Sequence, residues 1–305
     1  MEITKQPEES KVYKKDLSEY GQILAVEISP FVLSQDIILI GFETKILLGH
    51  LKIDEQLEFD ILADFKHESR CTSLTISPET SISILPNNII FTAAGSDYRL
   101  RVFKSDLRRD NACKVLNGHT SYINDTKFDP DNNFLVSVSD DNTAKLWETE
   151  DFKCVATLQL TSPGVSTCWH REDNSKLLLP LGTLRFTTDC FIAVGGIAHL
   201  GFVKTMVRKL IVWECVLITS FCSVPIKNNL IFTEAGGHIR FSPFGELVAA
   251  VNGLDGTLKV MHVQNNQMKL SVPVTLPSNV SWHCRCPIVC IGDYMTLMFW
   301  KVISK

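Results

Sequence analysis

Near the middle of the chain, VLNGHTSYINDTKFDPDNNFLVSVSDDNTAKLW (Val115 to Trp147) sets out an order of signals. An apolar alternation meets an Asp-Pro corner, then an apolar-small run, then an acidic turn, then an alternation closing on an aromatic. The order returns. It is found in CTSLTISPE with IIFTAAGSDYRLRVF (Cys71 to Phe103) and in HIRFSPFGELVAAVNGLDGTLKV (His238 to Val260). It is also found in VSWHCRCPIVCIGDYMTLMFW (Val280 to Trp300) and ILAVEISPF with IILIGFETKILL (Ile23 to Leu48). Weaker copies lie in VSTCWHREDNSKLLL with GTLRF (Val165 to Phe186), and in FIAVGG with KLIVW, which ends at Trp213. Alternation of strand length separated by Pro, Asp, Asn and Gly turns is the signature of hairpins.

The closing residues Phe103, Trp147, Phe186, Trp213, Val260 and Trp300 recur mostly at about 40 to 45 residues, the length of one four-stranded propeller blade. Seven such units predict an all-β fold, a seven-bladed propeller in which radial packing shields the sheet edges that would otherwise aggregate. The last unit ends too near Trp300 to hold a fourth strand, so residues around Lys11 to Lys15 are expected to add it. One propeller is expected over residues 11–305, preceded by a disordered tail at 1–10 (MEITKQPEES).

The pattern falters between Leu179 and Phe221. Only Pro180 to Gly182 separate KLLL from TLRF, and the interval from Phe186 to Trp213 is short for a blade. The fourth and fifth blades are therefore expected to be incomplete, with joins of a spliced or mis-assembled segment near Pro180 and Thr187 to Cys190, or a natural shortening, as the two explanations. The same region holds the most apolar residues of the chain. Lys204, Arg208 and Lys209 interrupt it before it reaches the roughly 20 apolar residues of a spanning helix, so buried strands are expected and no membrane span.

Charge narrows the partners. Basic and acidic residues number 30 and 34, a net charge of −4, and no basic run exceeds a pair such as Arg108-Arg109. A phosphate backbone needs a clustered positive face, so no direct nucleic acid partner is expected. The first residues lack an apolar leader core, so the 10 cysteines are read as reduced, small buried side chains. His283, Cys284, Cys286 and Cys290 lie close together in WHCRCPIVC, but without the paired C-x2-4-C spacing of a zinc site. Gly195-Gly196 and Gly236-Gly237 match no phosphate-cradling spacing. No metal, cofactor or small-molecule substrate is expected.

Strands within the quoted unit are predicted at Ile123 to Phe128, Phe134 to Ser139, Thr143 to Trp147 and Val155 to Leu160. With GHTSYI, FDP and SVSDDNTAKLW the unit resembles a WD repeat. That resemblance implies a hydrogen-bonded chain through His119, Asp141, Trp147 and a strand serine, Ser137 or Ser139. The chemistry supports it: a turn carboxylate accepts from an imidazole, which passes the link to a hydroxyl, and an indole N–H needs a buried acceptor. The rival reading of serine, histidine and aspartate as a nucleophilic triad requires the hydroxyl at an open cleft, whereas these serines sit inside an apolar strand. The chain is read as not an enzyme.

A longer set of signals, SDL, KVLNGHT, INDTKFDP, SVSDD and SPGVSTCWH in one order, resembles the small WD-repeat nucleoporins of the Y-shaped nuclear pore scaffold. The resemblance implies a scaffold subunit docked on a larger scaffold nucleoporin, nucleoporin one-sixty, located at the nuclear envelope and, in mitosis, at kinetochores. The other class considered is a WD adaptor of another assembly, such as a substrate receptor of a ubiquitin ligase.

Overall fold

The computed structural model describes residues 12–53, 57–108, 111–160, 163–169, 238–243, 245–263, 265 and 267–302, together with the backbone of strands lying between 170 and 237. The expected tail at 1–10 and the expected joins at Pro180 and Thr187 to Cys190 lie outside the described residues.

In chain order, β1 (Val12–Asp16) precedes the first sheet, β2 (Ala25–Ile28), β3 (Ile37–Gly41), β4 (Lys45–Ile53) and β5 (Leu57–Lys66). The second is β6 (Cys71–Ile76), β7 (Ile89–Gly95), β8 (Leu100–Ser105) and β9 (Ala112–Leu116). The third is β10 (Ile123–Phe128), β11 (Phe134–Ser139), β12 (Thr143–Glu148) and β13 (Cys154–Gln159), each within one residue of its predicted bounds. The fourth pairs β14 (Cys168–Trp169) with β15 (Leu177–Leu178). The fifth joins β16 (Thr183–Phe186), β17 (Phe191–Gly195), β20 (Lys209–Glu214) and β21 (Lys227–Leu230), with the hairpin β18 (Ala198–Leu200) and β19 (Val203–Thr205) between its middle strands. The sixth is β22 (His238–Phe241), β23 (Leu247–Asn252), β24 (Thr257–His262) and β25 (Met268–Pro273). The seventh contains β26 (Pro277–Trp282), β27 (Ile288–Asp293) and β28 (Thr296–Lys301).

Every described pairing is antiparallel. The innermost strands β2, β6, β10, β14, β16, β22 and β26 lie against one another in that order, and β26 lies against β2. The sheets thus form a seven-membered ring, a β-propeller. Two strands are described in the fourth sheet and four in the fifth. The fifth, expected to be incomplete, thus has four described strands. Thr183–Phe186, which the sequence pattern assigns to the fourth unit, opens the fifth instead.

The core lies between sheets. On β3, Ile38 and Ile40 face the seventh sheet, meeting Ile288, Cys290 and Phe299. Their alternates Ile37 and Leu39 face the second, meeting Leu74, Ile76 and Phe91. Successive strand residues point to opposite faces, so a strand covered on both sides must be apolar throughout, and every residue of β3 is buried. This is why the second strands read in the sequence as continuous apolar-small runs.

Closure uses the chain's own beginning. β1 pairs with β28 from Val12 opposite Trp300 to Asp16 opposite Thr296, supplying the outer strand predicted around Lys11 to Lys15. Tyr13 lies 5.8 Å from Phe299 between ring centroids, and Leu17 is buried behind it. A second fastening comes from β4 and β5, which run on past the end of β3 at Ile37 opposite His50. Their extension brings Leu51, Phe59, Ile53 and Leu57 into the cluster that holds Tyr13 and Cys286.

Gly292 shows how tight the closure is. A Cβ there would lie 2.3 Å from Ile23 Cγ2 and 2.7 Å from Ile23 Cβ, where the chain crosses from the last sheet to the first. Overpacking a closed core costs about 1 to 3 kcal/mol, so Gly292→Ala should lower the urea midpoint clearly. Gly253→Ala, whose nearest contact would be Pro277 at 3.7 Å, should leave it nearly unchanged.

Candidate functional site

The third sheet carries the polar constellation. Gly118 lets the loop before β10 lie on the indole, because a Cβ there would sit 3.1 Å from Trp147. That places His119 over the strands. Its Nδ1 is 2.8 Å from Asp141 Oδ2 and its Nε2 is 2.8 Å from Ser137 Oγ. Trp147 Nε1 donates to the same Ser137 oxygen at 2.9 Å. Asp141 sits in the turn after β11 and also accepts from Thr120 N at 3.0 Å, Thr143 N at 2.9 Å and Thr143 Oγ1 at 2.6 Å.

Donors and acceptors balance with a neutral imidazole. The indole donates to Ser137, whose O–H donates to His119 Nε2, and His119 Nδ1–H donates to Asp141. Burial pushes the His119 pKa down, and the bond to Asp141 only partly offsets this. For Asp141, burial raises the pKa but is outweighed by the donors Thr143, Thr120 and His119, which hold it at about 2. Of the two candidate serines, Ser137 joins the chain. Ser139 instead accepts from Asp141 N at 3.1 Å and donates to Ser121 O at 3.3 Å.

The Ser137 hydroxyl is 0 % exposed, held between an imidazole and an indole that is itself 3 % exposed. A nucleophile must meet its substrate, and this one meets two rings.

Other sheets keep parts of the pattern. In the second, His67 Nδ1 contacts Ser69 O, Asp97 pairs with Arg101 Nη2 at 2.6 Å instead of with an imidazole, and Phe103 stands where Trp147 does. There Thr92 Oγ1 has no partner. In the seventh, Asp293 Oδ1 accepts from Thr275 N and Leu276 N, both at 2.8 Å, so a turn aspartate again holds the loop entering its sheet. The sequence signal for this aspartate is IGDYM, in register with GSDYR and SDDNT.

Around the ring axis the inner strands are stitched by side chains. Asn279 accepts from Val26 N at 2.8 Å and donates to Val26 O at 2.9 Å, and Ile28 N donates to Ser281 Oγ at 2.9 Å. Asp125 accepts from Ser73 Oγ of the second sheet at 3.3 Å and from Ser166 Oγ beside the fourth at 2.8 Å. Lys127 reaches Glu27 across the axis at 2.5 Å. The space they enclose is about 90 Å³, well below the 300 Å³ or more usual for a drug-sized ligand.

The cluster at His283 is committed elsewhere. Its Nε2 lies 3.1 Å from Asp36 Oδ1, and its Nδ1 accepts from Arg285 N at 3.2 Å and Cys286 N at 3.0 Å, which leaves no nitrogen for a metal. Cys290 is buried in the core, and burial raises its thiol pKa. Among the described residues no group of three His, Cys, Asp or Glu side chains is placed to hold a metal ion. No helix among them is long and apolar enough to cross a membrane.

Burial also lowers the pKa of His67 and His283. A histidine whose folded pKa lies below its unfolded value of about 6.5 contributes stability above that pH and loses it as pH falls toward the folded value. Asp141 adds a loss of the same sign as pH falls from about 4 toward about 2. The thermal midpoint should be flat from pH 8 to 7 and fall steadily below about 6.5. A midpoint that rises between pH 7 and 5 in a buffer series would contradict these neutral, buried imidazoles.

A ring of antiparallel sheets bearing the His119, Ser137, Asp141 and Trp147 chain defines a WD-repeat β-propeller protein. Residues 111–148 match the family described as WD domain, G-beta repeat, which is the stretch where the polar pattern is complete. The chain is 30% identical to Nucleoporin Nup37 of Mus musculus over 94% of its length and 96% of the relative, and 30% identical to that of Homo sapiens over the same shares. Nucleoporin Nup37 of Drosophila melanogaster is 29% identical over 79% of each. The chain belongs to the Nucleoporin Nup37 family. The mouse alignment spans 321 positions against a chain of 305 residues, so the relative has residues without counterparts here.

Proposed function

We propose that this protein is a non-catalytic scaffold subunit of the nuclear pore complex, held in the Y-shaped assembly by docking onto a large scaffold nucleoporin, nucleoporin one-sixty. Residues 11–305 act as one domain in this reading. The observation that carries the proposal is similarity to Nucleoporin Nup37 over 94% of the chain, far beyond the widely shared repeat at 111–148. The buried Ser137 and the small axial cavity support binding over catalysis, since a platform needs rigid loops and no reacting group. The hydrogen-bonded chain of His119, Ser137, Asp141 and Trp147 serves to lock the loop between sheets to the turn within one.

A fluorescent fusion expressed at native level should mark the nuclear rim in interphase and kinetochores in mitosis. A diffuse cytosolic signal, with ligase subunits recovered in pull-downs, would instead identify an adaptor of a ubiquitin ligase.

A further inference from the structure

On the face of the ring formed by the turns between second and third strands and the loops entering each sheet, two tyrosines stand together. Tyr98 lies in the turn between β7 and β8, and Tyr122 in the loop entering β10. Their rings meet edge to face, with centroids 5.1 Å apart and planes at 88°. Both remain open to solvent, 37 % and 47 % exposed.

Tyr98 adopts φ 66°, a left-handed conformation that a bulky side chain rarely takes and that glycine or asparagine would adopt at less cost. The turn is held by Arg101, which binds both oxygens of Asp97 at 3.0 and 2.6 Å, and by Asp97 N donating to Ser69 Oγ at 3.1 Å. The turn type sets this conformation, since Asn142 at φ 61° and Tyr294 at φ 56° follow the turn aspartates of the third and seventh sheets in the same way. Here the surroundings hold an exposed aromatic ring in place before any partner arrives.

Two cations flank the pair. Arg99 follows Tyr98 in the same turn, and Arg70 accepts from Ser96 N through its carbonyl at 2.9 Å, which puts it beside that turn. Both are exposed, and neither forms an ion pair or side-chain hydrogen bond among the described residues. The neighbouring carboxylates have partners. Asp97 is bound to Arg101, and Asp140 accepts from Asn124 Nδ2 at 2.6 Å. Asn124 is neutral, so Asp140 keeps its charge. Arg101 offsets Asp97 and Lys66 offsets Glu68, however, so Arg70 and Arg99 leave the patch net positive in a chain whose net charge is −4.

We propose that Tyr98, Tyr122, Arg70 and Arg99 form a docking site for an acidic segment of a partner protein that also carries an apolar side chain. Guanidinium groups bind carboxylates through paired hydrogen bonds, and rigid tyrosines bury large area at small entropic cost. Tyrosine and arginine are also the residues that most often dominate protein interfaces. Nucleic acid fits less well, because the edge-to-face contact covers a ring face that a base would stack on. The proposal rests on the reading of the ring as a protein-binding platform and does not depend on which assembly holds it.

The test uses the full chain on an array of immobilised peptides in which leucine and phenylalanine are mixed with glutamate, with serine or with lysine. Retention should favour the glutamate set, and the double variant Arg70→Glu, Arg99→Glu should lose about tenfold on that set and gain on the lysine set. Tyr122→Ser should weaken the glutamate set with no change in thermal midpoint, since this residue lies on the surface. Tyr122→Phe should bind as the parent does. Equal retention of all sets, or a glutamate preference untouched by both Arg70→Glu, Arg99→Glu and Tyr122→Ser, would overturn the proposal. Displacement of bound peptide by a single-stranded RNA homopolymer but not by free acidic peptide would overturn it in favour of nucleic acid. Equal retention of all sets by a parent chain that marks the nuclear rim normally would count against this site alone.

Discussion

A chain lacking residues through Asp16 should fail to give a cooperative folded monomer, and it should precipitate or associate at concentrations where the full chain is monodisperse. The reason is geometric. β1 is the outer strand of the last sheet while β2 opens the first, so a few residues of one strand tie the start of the chain into the last sheet, beside the side-chain bonds from Asn279, Ser281 and His283 to the first. Without β1, β28 presents a free edge with Phe299 and Trp300 close behind it, and unprotected edges are the usual template for aggregation. The cluster that spans the closure, including Leu17, Ile23, Ile28, Phe42, Leu297 and Phe299, would lose its cover. The converse should also hold. Lys14 and Met298 face each other across the ladder, so cysteines at both positions should form a disulfide on oxidation. That bridge closes almost the whole chain into one loop and should stabilise by roughly 3 to 5 kcal/mol. Size-exclusion chromatography and urea unfolding of both variants check the account. A truncated chain with the parent's midpoint would mean that closure does not depend on β1.

The second large effect belongs to Ser137. Replacing it by alanine removes the acceptor of the Trp147 indole and the donor to His119 Nε2 in one step. Each buried group left unpaired costs about 1 to 3 kcal/mol, so Ser137→Ala should destabilise by about 2 to 5 kcal/mol. Ser139→Ala, which loses a bond to Asp141 N and a long one to Ser121 O, should cost less, about 1 kcal/mol. Trp147→Phe and Ser137→Ala should be strongly non-additive, because each orphans the group that the other removes. Urea unfolding of the singles and the double gives the coupling directly. A stability unchanged by Ser137→Ala would contradict a structural role for the chain of bonds and reopen a chemical one.

Much of this molecule could be read from its letters, for a physical reason. Strand alternation and turn chemistry are local, so the four strands of the Val115 to Trp147 unit and its continuation fall within one residue of their predicted bounds. Local signals do not say which sheet a strand joins. TLRF reads as a strand in either unit, and only its pairing with Phe191–Gly195 assigns it to the fifth. The choice between Ser137 and Ser139 has the same character. Both point the same way from β11, and what separates them is that Trp147 lies opposite Leu135, on the inner side of Ser137. Asp125, Asn279 and Glu27 went unmarked, although a polar residue breaking an apolar first strand is the available sign that it faces the axis. The weak repeats show the reverse case. The second sheet has lost the imidazole link and the indole, and it keeps its place through apolar packing of Phe65, Phe91 and Phe103, whose rings lie 4.9 to 5.7 Å apart.

The central claim is that a ring of sheets serves here as a docking body in the nuclear pore scaffold. Affinity purification of the endogenous protein under native salt, followed by mass spectrometry of what co-elutes in equal amount, tests it most directly. The account predicts a large scaffold nucleoporin as the stoichiometric partner, together with other members of the Y-shaped assembly. Recovery of ubiquitin-ligase subunits in its place, or of the protein alone, would contradict it.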